Sequence, residues 1–424
     1  MHTPRRAAAA LLTLLAVLAG CGGAADHGSR HTGRMKTETQ RGTVLALADT
    51  GAPAAADFGR ADTDFGLAVL RELQSKNATG NVVFSPTSLA NGLGMAYLGA
   101  RGQTATAMAA GLRLPATGQP LVAGLRDRTK ALRALNADKV QVAVSDNVWA
   151  DRGLPTEQAF LDALTTGYDA GLRRLDILSD PEGARAAVND TIKQDTRGHI
   201  PDLLPAGALN GMGWVLTDAV YLKADWARPF EARATRDATF HTAAGGTVRT
   251  KFMNGSGTYG YAQAAGWTAV ALPYAGGRLT MLALLPDRDG TVLDRAALDQ
   301  VTGALTPASM ALALPKVDLR WRGELTPVLT ALGMGPAFGA GADFTGVSND
   351  AGKIGFVMHA ATMAVDEKGT EASAATAVGL RATAIARAPE LKVTFDRPYL
   401  LVVRDTTTGE PLFIARVTDP RRTG

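Results

Sequence analysis

The residues of this 424-residue sequence that could do metal or nucleophilic chemistry are few: six histidines and a single cysteine, Cys21. No histidine pair stands at i, i+4 within a helical pattern, so a helical zinc site is not supported. A lone thiol gives neither an internal disulfide nor a thiolate metal cage. His359 has the chemistry of a base, but it lies in the largely apolar stretch GFVMHAATMAV, where a hydrogen-bonded core histidine is the simpler reading. MNGSGTYG lacks the Gly-x-Ser-x-Gly spacing of a nucleophile elbow. GARGQTA lacks the lysine that a phosphate loop needs, and NGLGMAYLG carries its Gly-x-Gly inside a predicted helix. The sequence is therefore not read as an enzyme, and no cofactor or metal is expected. What stands out instead is a possible substrate of another protein's chemistry. Between Val365 and Leu401 a proline-free row of small residues, GTEASAATAVGL, runs into RATAIARA, whose arginines and alanines look like protease bait.

Elements must hold that segment in place. With 46% hydrophobic and 20% charged residues the chain can bury a large core. Its formal charge of +4 is scattered, with no basic helix interleaved with aromatics, so a nucleic-acid partner is not expected. The N-terminus has Arg5 and Arg6, an apolar run from Ala7 to Ala19, and then Gly20-Cys21, the layout of a secretory signal too short to span a bilayer. Leu18-Ala19-Gly20-Cys21 also resembles a bacterial lipobox. Residues 1–20 are accordingly read as a lipoprotein signal peptide, Cys21 as the lipidated residue, and 21–57 as a flexible tether. That places the protein outside the cytoplasmic membrane, anchored by lipid or secreted.

Folded sequence is expected from residue 58 to 424 as one domain. Phe65, Val69 and Leu73 fall at helical spacing behind Asp62 and Thr63, with an end near Asn77. A second helix starts at Ser85-Pro86, a capping hydroxyl followed by a first-turn proline. Further helices are predicted from Thr156 and Gly183, and strands from Gln141, Trp214, Trp267, Leu279 and Met310. The chain ends in a hairpin, LLVVRD and PLFIARV. Helices early and strands late make the class α+β.

In order along the chain, five stretches resemble the serpin family: NVVFSPTSLANGLGMAYLGARGQTATAM, VNDTIKQDTRGHIPDLLPAG, VLTDAVYLKADWARPF, EKGTEASAAT and FDRPYLLVVRDTTTGEPLFIARVTDP. The resemblance covers nearly everything after the tether. It implies a domain of about eight or nine helices around three sheets, with an exposed reactive loop at about residues 367–390. It also implies a monomer that traps serine proteases. The protease cuts the loop, forms an acyl-enzyme, and is caught when the loop's N-terminal part inserts into the main sheet. Papain-like cysteine proteases, or binding without inhibition, are the alternatives.

The resemblance implies site residues one at a time. Glu367, Gly369, Thr370, Glu371, Ala372, Ser373, Ala374, Ala375 and Thr376 match the loop hinge. A strand that inserts must lack proline and place small side chains inward at every second position, and Thr370, Ala372, Ala374 and Thr376 meet that demand. Gly369 is the expected point of backbone freedom. Ser85, Ser88 and His359 match a polar cluster guarding the sheet, where Asp218 stands in place of the family's usual Asn. Lys316 and Glu367 match a pair at the top of the sheet, and Trp226 the aromatic packed there. Counting forward from Glu367 puts the scissile bond at Thr383–Ala384, which suits small-pocket proteases. Counting back from FDRPYL puts it at Arg387–Ala388, which suits trypsin-like ones. Distance from hinge to cut bond favours the forward count.

Overall fold

The computed structural model describes residues 35–48, 51–370 and 391–423. The elements begin with β1 (Glu38–Gln40), α1 (Ala55–Lys76), β2 (Val82–Phe84), α2 (Pro86–Tyr97), α3 (Gly102–Gly111) and α4 (Gly118–Arg133). They continue with β3 (Val140–Val144), β4 (Asn147–Asp151), α5 (Gln158–Tyr168), β5 (Leu172–Leu175), α6 (Pro181–Asp195) and β6 (Trp214–Asp225). After these the strands dominate: β7 (Arg236–His241), β8 (Thr247–Ala264), β9 (Trp267–Pro273) and β10 (Leu279–Pro286), then α7 (Arg295–Gly303), β11 (Thr306–Pro315) and β12 (Val317–Glu324). The last strands are β13 (Met358–Val365), β14 (Gly369–Thr370), β15 (Leu391–Thr394), β16 (Tyr399–Asp405) and β17 (Pro411–Val417). The class is α+β, and the helix start at Ser85 is as its sequence dictates, with Ser85 Oγ accepting the Ser88 amide at 3.1 Å.

Two hydrogen-bonded sheets carry the fold. The first runs β1-β5-β4-β6-β14-β13-β12, with β3 also on β6. The second runs β15-β11-β8-β9-β10-β16-β17-β2, with β7 on β8. The second and third sheets implied by the resemblance are joined here by β8, which pairs β7 at Thr247–Phe252, β11 at Phe252–Tyr261 and β9 at Gly260–Ala264. From Trp214 to Leu222 β6 is buried without interruption, because packed layers cover both faces of the first sheet. That explains why its sequence is a continuous apolar run rather than an alternation.

Four boundaries depart from the sequence reading. Residues 38–45, expected to lie in the tether, are docked: β1 is an edge strand antiparallel to β5, and the Gly42 and Leu45 amides donate to the Thr165 and Thr166 hydroxyls of α5, each at 2.9 Å. These backbone contacts leave no apolar periodicity to read. Helix α1 begins seven residues before Asp62, so Asp62 and Thr63 are interior and not caps; the Asp57 carboxylate instead accepts the Ala54 amide at 2.8 Å. The strand read from Met310 is two strands in different sheets, broken at Pro315, which has no amide hydrogen to continue a ladder. The strand read from Gln141 is likewise two segments, parted at Ser145-Asp146.

Asp62 is held for a different purpose. It and Glu410 flank the buried guanidinium of Arg128, with Glu410 at 2.6 Å, and the same guanidinium donates to Asn91 Oδ1. This pins α1, α2, α4 and the C-terminal hairpin to one another beneath the first sheet.

Candidate functional site

The hinge enters the first sheet at its upper end. Gly369 and Thr370 pair antiparallel with Asp225 and Ala224 of β6, and Thr370 also pairs with Val365 of β13. Thr370 is fully buried, and its hydroxyl meets that of Tyr274 at 2.6 Å. Tyr274 stacks on Trp226 with ring centroids 4.5 Å apart. The Trp226 indole N–H donates to the Asp366 carbonyl at 2.9 Å, and the Trp226 and Phe230 amides donate to the carbonyls of Lys368 and Glu367 at 2.8 and 2.7 Å. The Glu367 carboxylate takes Lys316 Nζ at 2.6 Å and the Thr235 hydroxyl at 2.7 Å. Burial raises the Glu367 carboxyl, but these two hydrogen bonds, a bond from its own backbone amide and the Lys316 charge together leave it below its ordinary value.

Gly369 has a role other than the expected freedom to turn. A Cβ there would lie 2.1 Å from the Ala224 carbonyl oxygen and 2.8 Å from the Asp225 Cα, so glycine is required by close approach of two backbones. Gly369→Ala is expected to expel the hinge. Hydrogen exchange across residues 366–370 should rise about tenfold or more, since one lost buried hydrogen bond and the clash together exceed ~1.4 kcal/mol. Unchanged exchange would mean that the hinge is not anchored by this approach.

Lower in the sheet, β6 and β13 pair directly and in parallel from Met358–Thr217 to Thr362–Tyr221, with His359 opposite Asp218. Side chains reinforce that seam at the same level. His359 Nδ1 bonds Asp218 Oδ1, and His359 Nε2 accepts the Ser85 amide at 3.2 Å. Because that amide is a donor, Nε2 carries no proton, so the ring's hydrogen is on Nδ1 and points to Asp218. Ser88 donates its hydroxyl to Asp146 Oδ1 at 2.6 Å. Asp146 sits in the break between β3 and β4, and Ser145 beside it donates to Asp195 at 2.7 Å. Burial, then the charge of Asp218, push the Asp146 carboxyl well above the usual carboxylate range.

Ser85, Ser88, Asp218 and His359 are thus one cluster, and Trp226, Lys316, Glu367, Gly369 and Thr370 are another. Glu371 to Thr376, the two bonds Thr383–Ala384 and Arg387–Ala388, and Cys21 lie outside the described residues. Sequence reasoning missed Asp146, Asn91 and Tyr274. A usable signal existed for the first: the polar triplet Ser145-Asp146-Asn147 interrupts an otherwise apolar strand.

Comparison with known proteins agrees with this geometry. The family profile described as "Serpin (serine protease inhibitor)" matches residues 60–420. An uncharacterised serpin-like protein of Thermococcus kodakarensis is 33% identical over 359 residues, covering 83% of each chain. The leukocyte elastase inhibitor of Xenopus tropicalis is 31% identical, covering 86% of this chain and all of that one. Among solved structures, human thyroxine-binding globulin superposes with a TM-score of 0.77 at 23% identity, over 87% of this chain and 100% of that one.

Proposed function

This chain belongs to the serpin family, and from that premise we propose that it inhibits serine proteases by trapping them as acyl-enzymes rather than acting as an enzyme itself. The register of the hinge carries this reading. Each residue further along the loop moves one residue back along both β6 and β13. Were the loop to insert and continue that way, Ala372 would come to Leu222 and Met363, Ala374 to Val220 and Ala361, and Thr376 to Asp218 and His359. All of these strand residues are buried. An inserted loop would therefore offer only small side chains to the core face, while Glu371 would fall beside Lys223 on the other face. A carrier has no need of such a match along both sides of a seam.

In the proposed reaction the protease's serine attacks the loop at Thr383–Ala384, the leaving strand departs, and an ester joins protease to loop. Arg387–Ala388 is the alternative bond. Insertion of roughly 14 residues at about 3.3 Å each then carries the protease about 45 Å. That distance is enough to pull its catalytic groups out of register and strand the ester. A cysteine protease would be held through a thioester by the same movement. Lipid attachment at Cys21 would hold the inhibitor outside the cytoplasmic membrane; Cys21→Ser should then release it from the membrane fraction.

The test is incubation of the protein lacking its tether with elastase-, subtilisin-, trypsin- and papain-like proteases, followed by denaturing gels and sequencing of the released C-terminal peptide. A denaturation-resistant complex is expected, with the peptide starting at Ala384. Simple loop cleavage across the whole panel would refute inhibition. It would favour the second reading, a non-inhibitory binding protein, to which the likeness to thyroxine-binding globulin lends support.

A further inference from the structure

The segment that returns from α6 to β6, residues 196–213, is fixed chiefly to the β6 half of the first sheet. Together with α6 it shares one buried apolar cluster with Trp149 of β4, Leu175 of β5, Val215 and Ala219 of β6, and Ala360 of β13. Ala219 and Ala360 are direct partners across the seam, so the cluster sits over the place where a strand would enter. Within the return, His199 stacks on Tyr221 of β6, with ring centroids 4.1 Å apart and planes 5° apart. Polar contacts bind the return to α6 as well. Buried Asn189 accepts the Leu203 and Leu204 amides at 3.1 and 2.8 Å and donates to the Asp202 carboxylate and the Leu204 carbonyl. Arg185 donates to the same carbonyl at 3.1 Å, and the Gly207 amide donates to Glu182 at 2.7 Å.

From the other side of the seam, Arg322 of β12 reaches the same return, donating from Nη1 to the Asp202 carbonyl oxygen at 2.8 Å. Strand β12 is paired with β13 from Val317 to Glu324, with Arg322 opposite Ala360, so Arg322 belongs to the β13 half. We propose that Arg322 is a latch across the seam: it ties the α6 return to the β12–β13 half of the sheet, and is thereby a positioning residue that sets how readily β6 and β13 part. A strand entering between them adds one inter-strand spacing, about 4.8 Å, between the two halves. The return cannot follow both. It stays with β6, where apolar burial, the His199–Tyr221 stack and the Asn189 bonds hold it, and the Arg322–Asp202 bond gives way.

A contact shifts an equilibrium only by the difference it makes between two states. This one is made in the closed sheet and lost in the opened one, so it raises the barrier to strand entry without stabilising the inserted product. Its removal should speed entry by about three- to tenfold, the rate equivalent of one hydrogen bond at an exposed site. The proposal rests on the trapping reading for its consequence, so the test reads sheet opening on the full chain without a target protease. A fluorescent peptide of sequence TEASAATAVGLRAT, the chain's own residues 370–383, is mixed with the intact protein, and its rate of uptake is measured for the unmodified chain, Arg322→Ala and Arg322→Met. Methionine keeps an apolar stem and lacks only the guanidinium donors. Thermal midpoints are read before and after the loop is cut.

The expected result is uptake about three- to tenfold faster in both variants, with the midpoint of the intact form lowered by about 1–3 °C and that of the loop-cut form unchanged. Uptake at the unmodified rate, or slower, would overturn the latch while leaving trapping intact. So would acceleration in Arg322→Ala alone, which would trace the effect to lost packing, and so would an equal fall of both midpoints, which would make Arg322 an ordinary support of the fold. No uptake by the unmodified chain or either variant, together with no rise in midpoint on cutting the loop, would overturn the insertion reading and the latch with it. Should Arg322→Ala fail to fold, Arg322→Met decides the outcome by the same two readouts.

Discussion

Thr370→Arg is expected to turn the protein from a trap into a plain substrate. Loop cleavage should proceed within about twofold of the normal rate, because Thr370 lies far along the chain from either candidate bond. Covalent complex, in contrast, should fall to a few per cent or less. Thr370 is fully buried between Ala224 and Val365, with its hydroxyl on Tyr274. The carboxylates of the hinge are already engaged, Glu367 by Lys316 and Thr235 and Asp366 by the Lys368 and Gly369 amides. An arginine there would enter the core unpaired, at a cost of about 3–5 kcal/mol. With the arginine left outside the sheet before cleavage, that cost is met on insertion and slows it on the order of 10²–10⁴-fold. Hydrolysis of the acyl-enzyme then wins the race. Denaturing gels together with protease turnover measure the split, and full trapping by this variant would show that the hinge has been wrongly assigned.

Cutting the loop of the unmodified protein should raise its thermal midpoint by about 10–20 °C. An inserted strand of roughly 14 residues gains hydrogen bonds to β6 and β13 at a net of about 1 kcal/mol each, and ordering the strand offsets much of that gain. A remainder of only about 5 kcal/mol is enough, at about 2–4 °C per kcal/mol. The direct pairs between β6 and β13 from Met358 to Thr362 are lost in exchange. The native state would thus be held by a barrier rather than by depth. Scanning calorimetry before and after limited proteolysis reads the difference; an unchanged or lowered midpoint would mean that the cut loop stays outside the sheet.

Much of this molecule is written locally. Ser85-Pro86 starts a helix wherever it is placed, because the hydroxyl caps and the proline presets the first turn. The unbroken apolar run of β6 identifies a strand covered on both faces. The alternation of small residues from Thr370 to Thr376 states what the segment tolerates as a strand, and motif order along the chain was enough to identify the family. Boundaries were less legible where backbone contacts set them. β1 docks through amides and hydroxyls, which leave no periodic pattern, and α1 extends past Asp62 because Arg128, distant in sequence, keeps that carboxyl inside.

By itself, then, the sequence determined the class of fold and the family, since both depend on the residue types of contiguous stretches, and it supplied the composition of the proposed hinge and bait. Tertiary structure decided three further matters. Gly369 is required by the Ala224 carbonyl, which no turn propensity reveals. The register of Gly369 and Thr370 is set by two strands distant in sequence, β6 and β13. Asp146 comes beside Asp218 only because β3 and β4, both paired with β6, break there, and burial together with the charge of Asp218 pushes the Asp146 carboxyl well above the usual carboxylate range, an effect that distance along the chain does not encode.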